Sequence, residues 1–178
     1  CPSLILSCGQ SRIECRVNLI GENSQAQIDG LTIGHNKSTS ESLTRVMHGN
    51  INSSSNQTFR TILNDESRAS FLGKIRVEAG ADGTNADMSS KSLLLSENAR
   101  ANAKPELEIL ADDVKCSHGV TIGNFDPEQM FYLCSRGISQ PEAKKLLINA
   151  FSKVVIENLP ISLSKISEEF FGFDNFII

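Results

Sequence analysis

A mainly β fold, a solenoid of short strands followed by a helical segment, is what this sequence predicts, on three observations. Short runs of alternating apolar and polar residues recur along the first 124 positions, broken by Ser, Asn, Gly and Asp. No amphipathic helix of ordinary length stands between these runs, which excludes a doubly wound fold with helical crossovers. Near residue 125 the period of the pattern changes from that of a strand to that of a helix. The division expected is therefore 1–124 as a β core and 125–178 as a C-terminal helical segment.

The first long run places Ile13, Cys15, Val17 and Leu19 on one face and Arg12, Glu14, Arg16 and Asn18 on the other. Ala26 and Ile28 follow, and Leu31 and Ile33 continue after what reads as an Asp29–Gly30 turn. Ser53–Ser55, between Asn52 and Asn56, reads as an exposed bend. Phe59, Thr61 and Leu63 form the next run, ended by Asn64–Asp65. Phe71 to Val77 comes next, ended by the Gly-rich stretch 79–83. Leu93 to Leu95, Leu107 with Ile109, and Val114 through Ile122 complete the series. Three segments share an acidic start and small residues, beginning at Glu22, Asp65 and Glu97. Their spacings of 43 and 32 residues favour an irregular solenoid over a strict repeat. In such a fold Ser, Thr and Asn stack on their counterparts one coil away.

Beyond residue 125 the helix signals are explicit. Asp126-Pro127-Glu128-Gln129 supplies a cap, a first-turn proline and a capping-box spacing. Gly137 ends that helix behind Arg136. Ser139 opens a second helix with Glu142 three residues on. Its apolar stripe comprises Ala143, Leu146, Leu147, Ala150, Phe151, Val154 and Val155. Pro160 starts a third, with Leu163, Ile166, Phe170 and Phe171 facing inward. A helical cap would cover the open edge of the last rung.

Composition narrows the functional classes. The 178 residues carry 17 Lys+Arg against 21 Asp+Glu, a formal charge of −4, which does not suit a phosphate-backbone binder. No Trp and a single Tyr leave few stacking platforms for bases or sugars. No apolar run approaches the roughly 18–20 residues of a membrane span, and no signal peptide is read. A start at Cys1 rather than Met suggests a fragment. Five widely spaced cysteines without a CxxC pattern argue against a disulfide framework or a closed four-thiolate zinc site. Reduced thiols in a cytoplasmic compartment are the simplest reading.

Cys116 and His118 are the residues most suited to chemistry. Two apart on an extended segment, they project to one face and form a soft-plus-borderline donor pair for iron, zinc or copper. Two ligands do not close a site, so others must come from another rung or another protein. The same spacing also serves a buried Cys beside a hydrogen-bonded His, or a Cys–His nucleophile pair with an orienting third residue. His35 and His48 read as structural histidines and Asp112–Asp113 as a solvated turn. Gly80–Gly83 lacks the Lys-Ser/Thr of a phosphate loop. Asp65, Glu66, Asp82 and Asp87 leave open a β-solenoid polysaccharide lyase or hydrolase, provided they gather on one face.

Three ordered blocks carry a family resemblance: KPELEILADDVKCSHGVTIG, EQMFYLCSRGI and EAKKLLINAF, preceded by GKIRVEAGADGTNADMSSKSLLLSENARANAKP. With them the chain closely resembles the SufD branch of the SufB/SufD family of iron–sulfur cluster assembly subunits, from about Gly21 to Asn158. The resemblance implies a right-handed parallel β-helix with a helical C-terminal part, in a non-catalytic scaffold subunit. It implies that His118, with Cys116 at or beside it, lies at a SufB–SufD interface where iron or a nascent cluster is held transiently between subunits. It further implies that the C-terminal helices, with Phe131, Tyr132 and Arg136, dock the ATPase SufC. An exposed final strand would allow self-pairing where SufB is absent, and neither nucleic acid nor membrane is expected as a partner.

Overall fold

Nine strands and two helices make up the computed structural model, which describes residues 3–7 and 9–158. The strands are β1 (Ser3–Ser7), β2 (Gln10–Leu19), β3 (Gln25–Gly34), β4 (Thr39–His48), β5 (Ser54–Leu63), β6 (Arg68–Val77), β7 (Thr84–Leu94), β8 (Arg100–Ile109) and β9 (Val114–Gly123). The helices are α1 (Pro127–Ser135) and α2 (Gln140–Ile156). Odd strands form a five-stranded sheet in the order β1-β3-β5-β7-β9, and even strands a four-stranded sheet in the order β2-β4-β6-β8. Every pairing is parallel. The chain thus winds as a solenoid, alternating between two sheets and returning one coil higher.

Side chains stack from coil to coil. The Ser11 hydroxyl meets that of Ser40, 29 residues on, at 3.1 Å. Arg76 meets Glu108, 32 residues on, at 2.8 Å. The apparent repeat spacing of 32 from Asp65 to Glu97 is therefore one coil, whereas the spacing of 43 from Glu22 joins unlike corners. Glu22 precedes β3, but Asp65 and Glu97 precede even strands.

The corners depend on short polar side chains that tolerate left-handed backbone. Asn23, Asn36, Asn52 and Asp65 have φ of 54 to 57°. Each corner bonds to the next coil: Asn23 N–H donates to the Ile51 carbonyl and Asn52 N–H to that of Asp82. The Asp65 carboxylate accepts the Asn36 N–H at 2.8 Å. The bend expected at Ser53–Ser55 falls earlier, at Asn52, because Ser53 and Ser55 are buried and β5 begins at Ser54.

Two apolar clusters hold the coils. One fills the space between the sheets with Leu19, Ile28, Val46, Phe59, Phe71, Ile75, Val77 and Met88. Here the Asp29–Gly30 turn expected from sequence is replaced by continuous strand. Gly30 pairs with Phe59, and a Cβ at residue 30 would collide with that ring. The Phe59 and Phe71 rings lie 4.5 Å apart, tilted by 38°. The second cluster, Leu31, Ile33, Ile62 and Leu93, lies on the outer face of the five-stranded sheet and is closed by Ile148 and Val155 of α2.

The helices begin and end where the caps require. Asp126 accepts from the Glu128 N–H, and Ser139 and Glu142 form a reciprocal capping box. Gly137, at φ 86°, takes the left-handed position past the C-cap Arg136. The buried face of α2 is Ala143, Ile148, Ser152 and Val155, rotated from the expected stripe, so that Leu146 and Val154 are exposed. Among the described residues α2 packs on the flank of the coil, over Leu31, Ile33, Ile62 and Leu93. The third helix expected from Pro160, with Phe170 and Phe171, lies outside the described residues. Among the described residues no helix is long and apolar enough to cross a membrane.

Candidate functional site

β9 carries Cys116 and His118, and it is the last strand of its sheet. Its register against β7 decides where they point. Val114, Cys116, His118, Val120 and Ile122 sit over Thr84, Ala86, Met88, Ser90 and Ser92. All five of those β7 residues are buried inside the coil. Parallel strands in register keep side chains on a common face, so Cys116 and His118 both belong to the interior column. Two residues of extended chain separate their Cα atoms by roughly 6.5 Å.

Among the described residues no further coil lies above that column. Met88 is 1 % exposed, whereas Val120 and Ile122 one coil higher are 39 % and 42 % exposed. The four-stranded sheet repeats the contrast: Val77 is fully buried and Ile109, its β8 partner, is 40 % exposed. Among the described residues nothing covers this apolar cross-section, and the imidazole of His118 is exposed within it. Cys116 is half-buried and packs against the inter-sheet cluster. Burial pushes its thiol pKa up, and a hydrogen bond with the Ala86 backbone opposes that shift.

The opposite face of β9 tethers the strand. Ser117 donates its hydroxyl proton to the Asp87 carboxylate, and the Asp82 carboxylate accepts the Asp113 N–H at 3.3 Å. These ties hold Cys116 and His118 in register from behind. Sequence reasoning missed these ties and the apolar side chains left exposed at that end. The coil length of about 30 residues was the available signal, since the sequence turns helical where the next coil would begin.

Other candidate residues have different settings. His48 is fully buried and its two ring nitrogens meet the hydroxyls of Ser53 and Ser55 at 2.7 and 2.8 Å. His35 shares a corner with Asn36 at 2.8 Å. Asp112 and Asp113 are exposed in the turn before β9. Asp65 and Glu66 precede β6, Asp82 lies beyond its other end, and Asp87 is on the outer face of β7. The carboxylates of the carbohydrate-cleaving alternative are thus not brought together. On α1, Phe131 and Tyr132 are 76 % and 58 % exposed, and the Arg136 guanidinium lies 5.3 Å from the Tyr132 ring centre. Among the described residues no group of three or more His, Cys, Asp or Glu side chains converges as a metal cage. One thiol and one imidazole are a fitting but incomplete donor set for iron.

Residues 3–151 match the family model described as SUF system FeS cluster assembly, SufBD core domain. The chain belongs to the SufB/SufD family. Within it the chain is SufD-like: it is 40 % identical over 157 residues to the iron–sulfur cluster assembly protein SufD of Escherichia coli, covering 88 % of this chain and 37 % of that protein. It is 33 % identical to SufD of Bacillus subtilis, covering 88 % of this chain and 36 % of the relative. It is 35 % identical to the chloroplastic protein ABCI7 of Arabidopsis thaliana, covering 84 % and 32 %. The chain thus spans about a third of the length of these relatives. Membership of the family connects this SufD-like chain with iron–sulfur cluster assembly.

Proposed function

We propose that the chain is a non-catalytic scaffold subunit of a cytoplasmic SufB–SufC–SufD complex and meets SufB through the open end of its solenoid. The observation that carries this reading is that no coil among the described residues covers β9, whose inward column holds Cys116 and His118 with the exposed Val120 and Ile122. Exposed apolar positions in a solenoid's last rung are what a second chain would bury. A thiol and an imidazole in that column would then become half of a shared site, with the remaining ligands supplied by the partner. Iron or the nascent cluster is cargo in this scheme, held between subunits during assembly. The ATPase SufC would dock on the C-terminal helices, where Phe131, Tyr132 and Arg136 are presented together. ATP hydrolysis would belong to that partner.

A second reading, a partner that shapes SufB without holding iron, draws on the half-buried, protonation-favouring setting of Cys116. Reconstitution with SufB and SufC separates the two. If the site is shared, His118→Ala still assembles the complex but lowers its cluster yield severalfold, and Cys116→Ser/His118→Ala lowers bound iron. Unchanged cluster yield in His118→Ala removes the site assignment. Equal iron in the double variant and the parent supports the purely structural reading.

A further inference from the structure

On the flank opposite the four-stranded sheet, a cleft of about 300 Å3 lies between the ends of β7 and β9 and the two helices. Its walls are mainly apolar, with Leu93, Phe125, Leu147 and Phe151 prominent, and Lys91 and Thr121 also line it. Arg60 packs behind this wall, against Phe151. Its guanidinium lies over Phe151 at 5.6 Å from the ring centre, and in the β5–β7 register Arg60 is aligned with Lys91. Two cations therefore sit side by side on adjacent strands against one aromatic wall.

Arg60 is 8 % exposed, and the hydrogen bond recorded for its five N–H donors is one to the Phe59 carbonyl at 3.0 Å. Among the described residues no carboxylate comes within ion-pair distance of Arg60 or Lys91. The Asp126 carboxylate, which also lines the cleft, accepts the Glu128 N–H at the start of α1. A largely desolvated guanidinium without a counter-ion is costly, and an anion brought to it removes that cost. Burial lowers the Arg60 pKa.

We propose that this cleft binds a small organic anion, with its carboxylate or phosphate held by Arg60 and Lys91 and its apolar body against Leu93, Leu147 and Phe151. Arginine suits either headgroup, because its planar fork offers paired donors. The apolar wall favours a ligand with an aromatic or aliphatic body over a bare ion.

Binding of benzoate, phenyl phosphate and inorganic phosphate to the purified chain, at ionic strength fixed with sodium chloride, tests this. The readouts are calorimetry and the shift in unfolding temperature. Benzoate and phenyl phosphate should bind, inorganic phosphate more weakly, and the better of the first two identifies the headgroup. Arg60→Met and Lys91→Met should each weaken binding by about ten- to a hundredfold. Arg60→Met should also raise the unfolding temperature of the ligand-free chain, since it removes an uncompensated charge. Binding of none of the three beyond the chloride control overturns the proposal. So does equal binding in the parent and Lys91→Met, a substitution at an exposed residue that leaves the core intact.

Discussion

His48 shows how a polar residue becomes part of a solenoid interior. Both its ring nitrogens are occupied by serine hydroxyls, and the Ser53 hydroxyl continues to that of Thr84 at 3.3 Å, one coil further. Burial lowers its pKa below the ordinary imidazole value of 6.5, so the folded chain keeps it neutral. The unfolded chain takes up a proton below that value and the folded chain does not. Stability from His48 is therefore complete above about pH 6.5 and declines as the pH falls toward the lowered folded value. Urea unfolding between pH 7 and pH 5 should show this loss, with a slope of at most about 1.4 kcal/mol per pH unit. In His48→Gln the slope should flatten. The lowered carboxylate pKa values of Glu78, Glu106 and Glu108 act at lower pH, because their unfolded value is 4.5. An unchanged slope in His48→Gln would mean that another group titrates in this window.

At the scale of elements, legibility followed the chemistry of the buried face. β2 was readable because Ile13, Cys15, Val17 and Leu19 alternate with charged or polar neighbours. β4 was not, since its inward positions include Ser40, Ser42, Thr44 and His48, which resemble a loop until their coil-to-coil partners are known. The same cause hid the start of β5, where Ser53, Ser55 and Gln57 are buried. The helices were readable through local capping chemistry, which needs no distant partner. Their orientation was not, because the stripe on α2 is wider than the face the sheet covers. That difference has a measurable consequence. Ile148→Ala, in the fully buried row, should cost about 2–4 kcal/mol in urea unfolding. Leu146→Ala, 48 % exposed, should cost less than about 1 kcal/mol. Similar costs for the two would show that the outward row of α2 is covered as well.

Across the whole molecule, the two flanks and the end have different characters. One flank is covered by α2 over Leu31, Ile33 and Ile62. The face of the four-stranded sheet is laced with ion pairs, among them Arg12–Glu41, Lys74–Glu108 and Arg76–Glu108, which suit a solvated surface. Among the described residues neither helix nor charge lattice covers the end beyond β8 and β9, where the inward side chains continue the apolar core. Cys116 and His118 were legible as a same-face pair from their spacing, but only the register with Ala86 and Met88 shows that this face is the interior column. Whether a SufB partner completes that column is measured most directly by hydrogen exchange across residues 114–123, in the isolated chain and in its complex with SufB. The account predicts that β9 amides left unpaired at the edge slow by at least about tenfold on complex formation, while the ion-paired face is unchanged. Equal exchange along β9 in the free and the bound chain would contradict it.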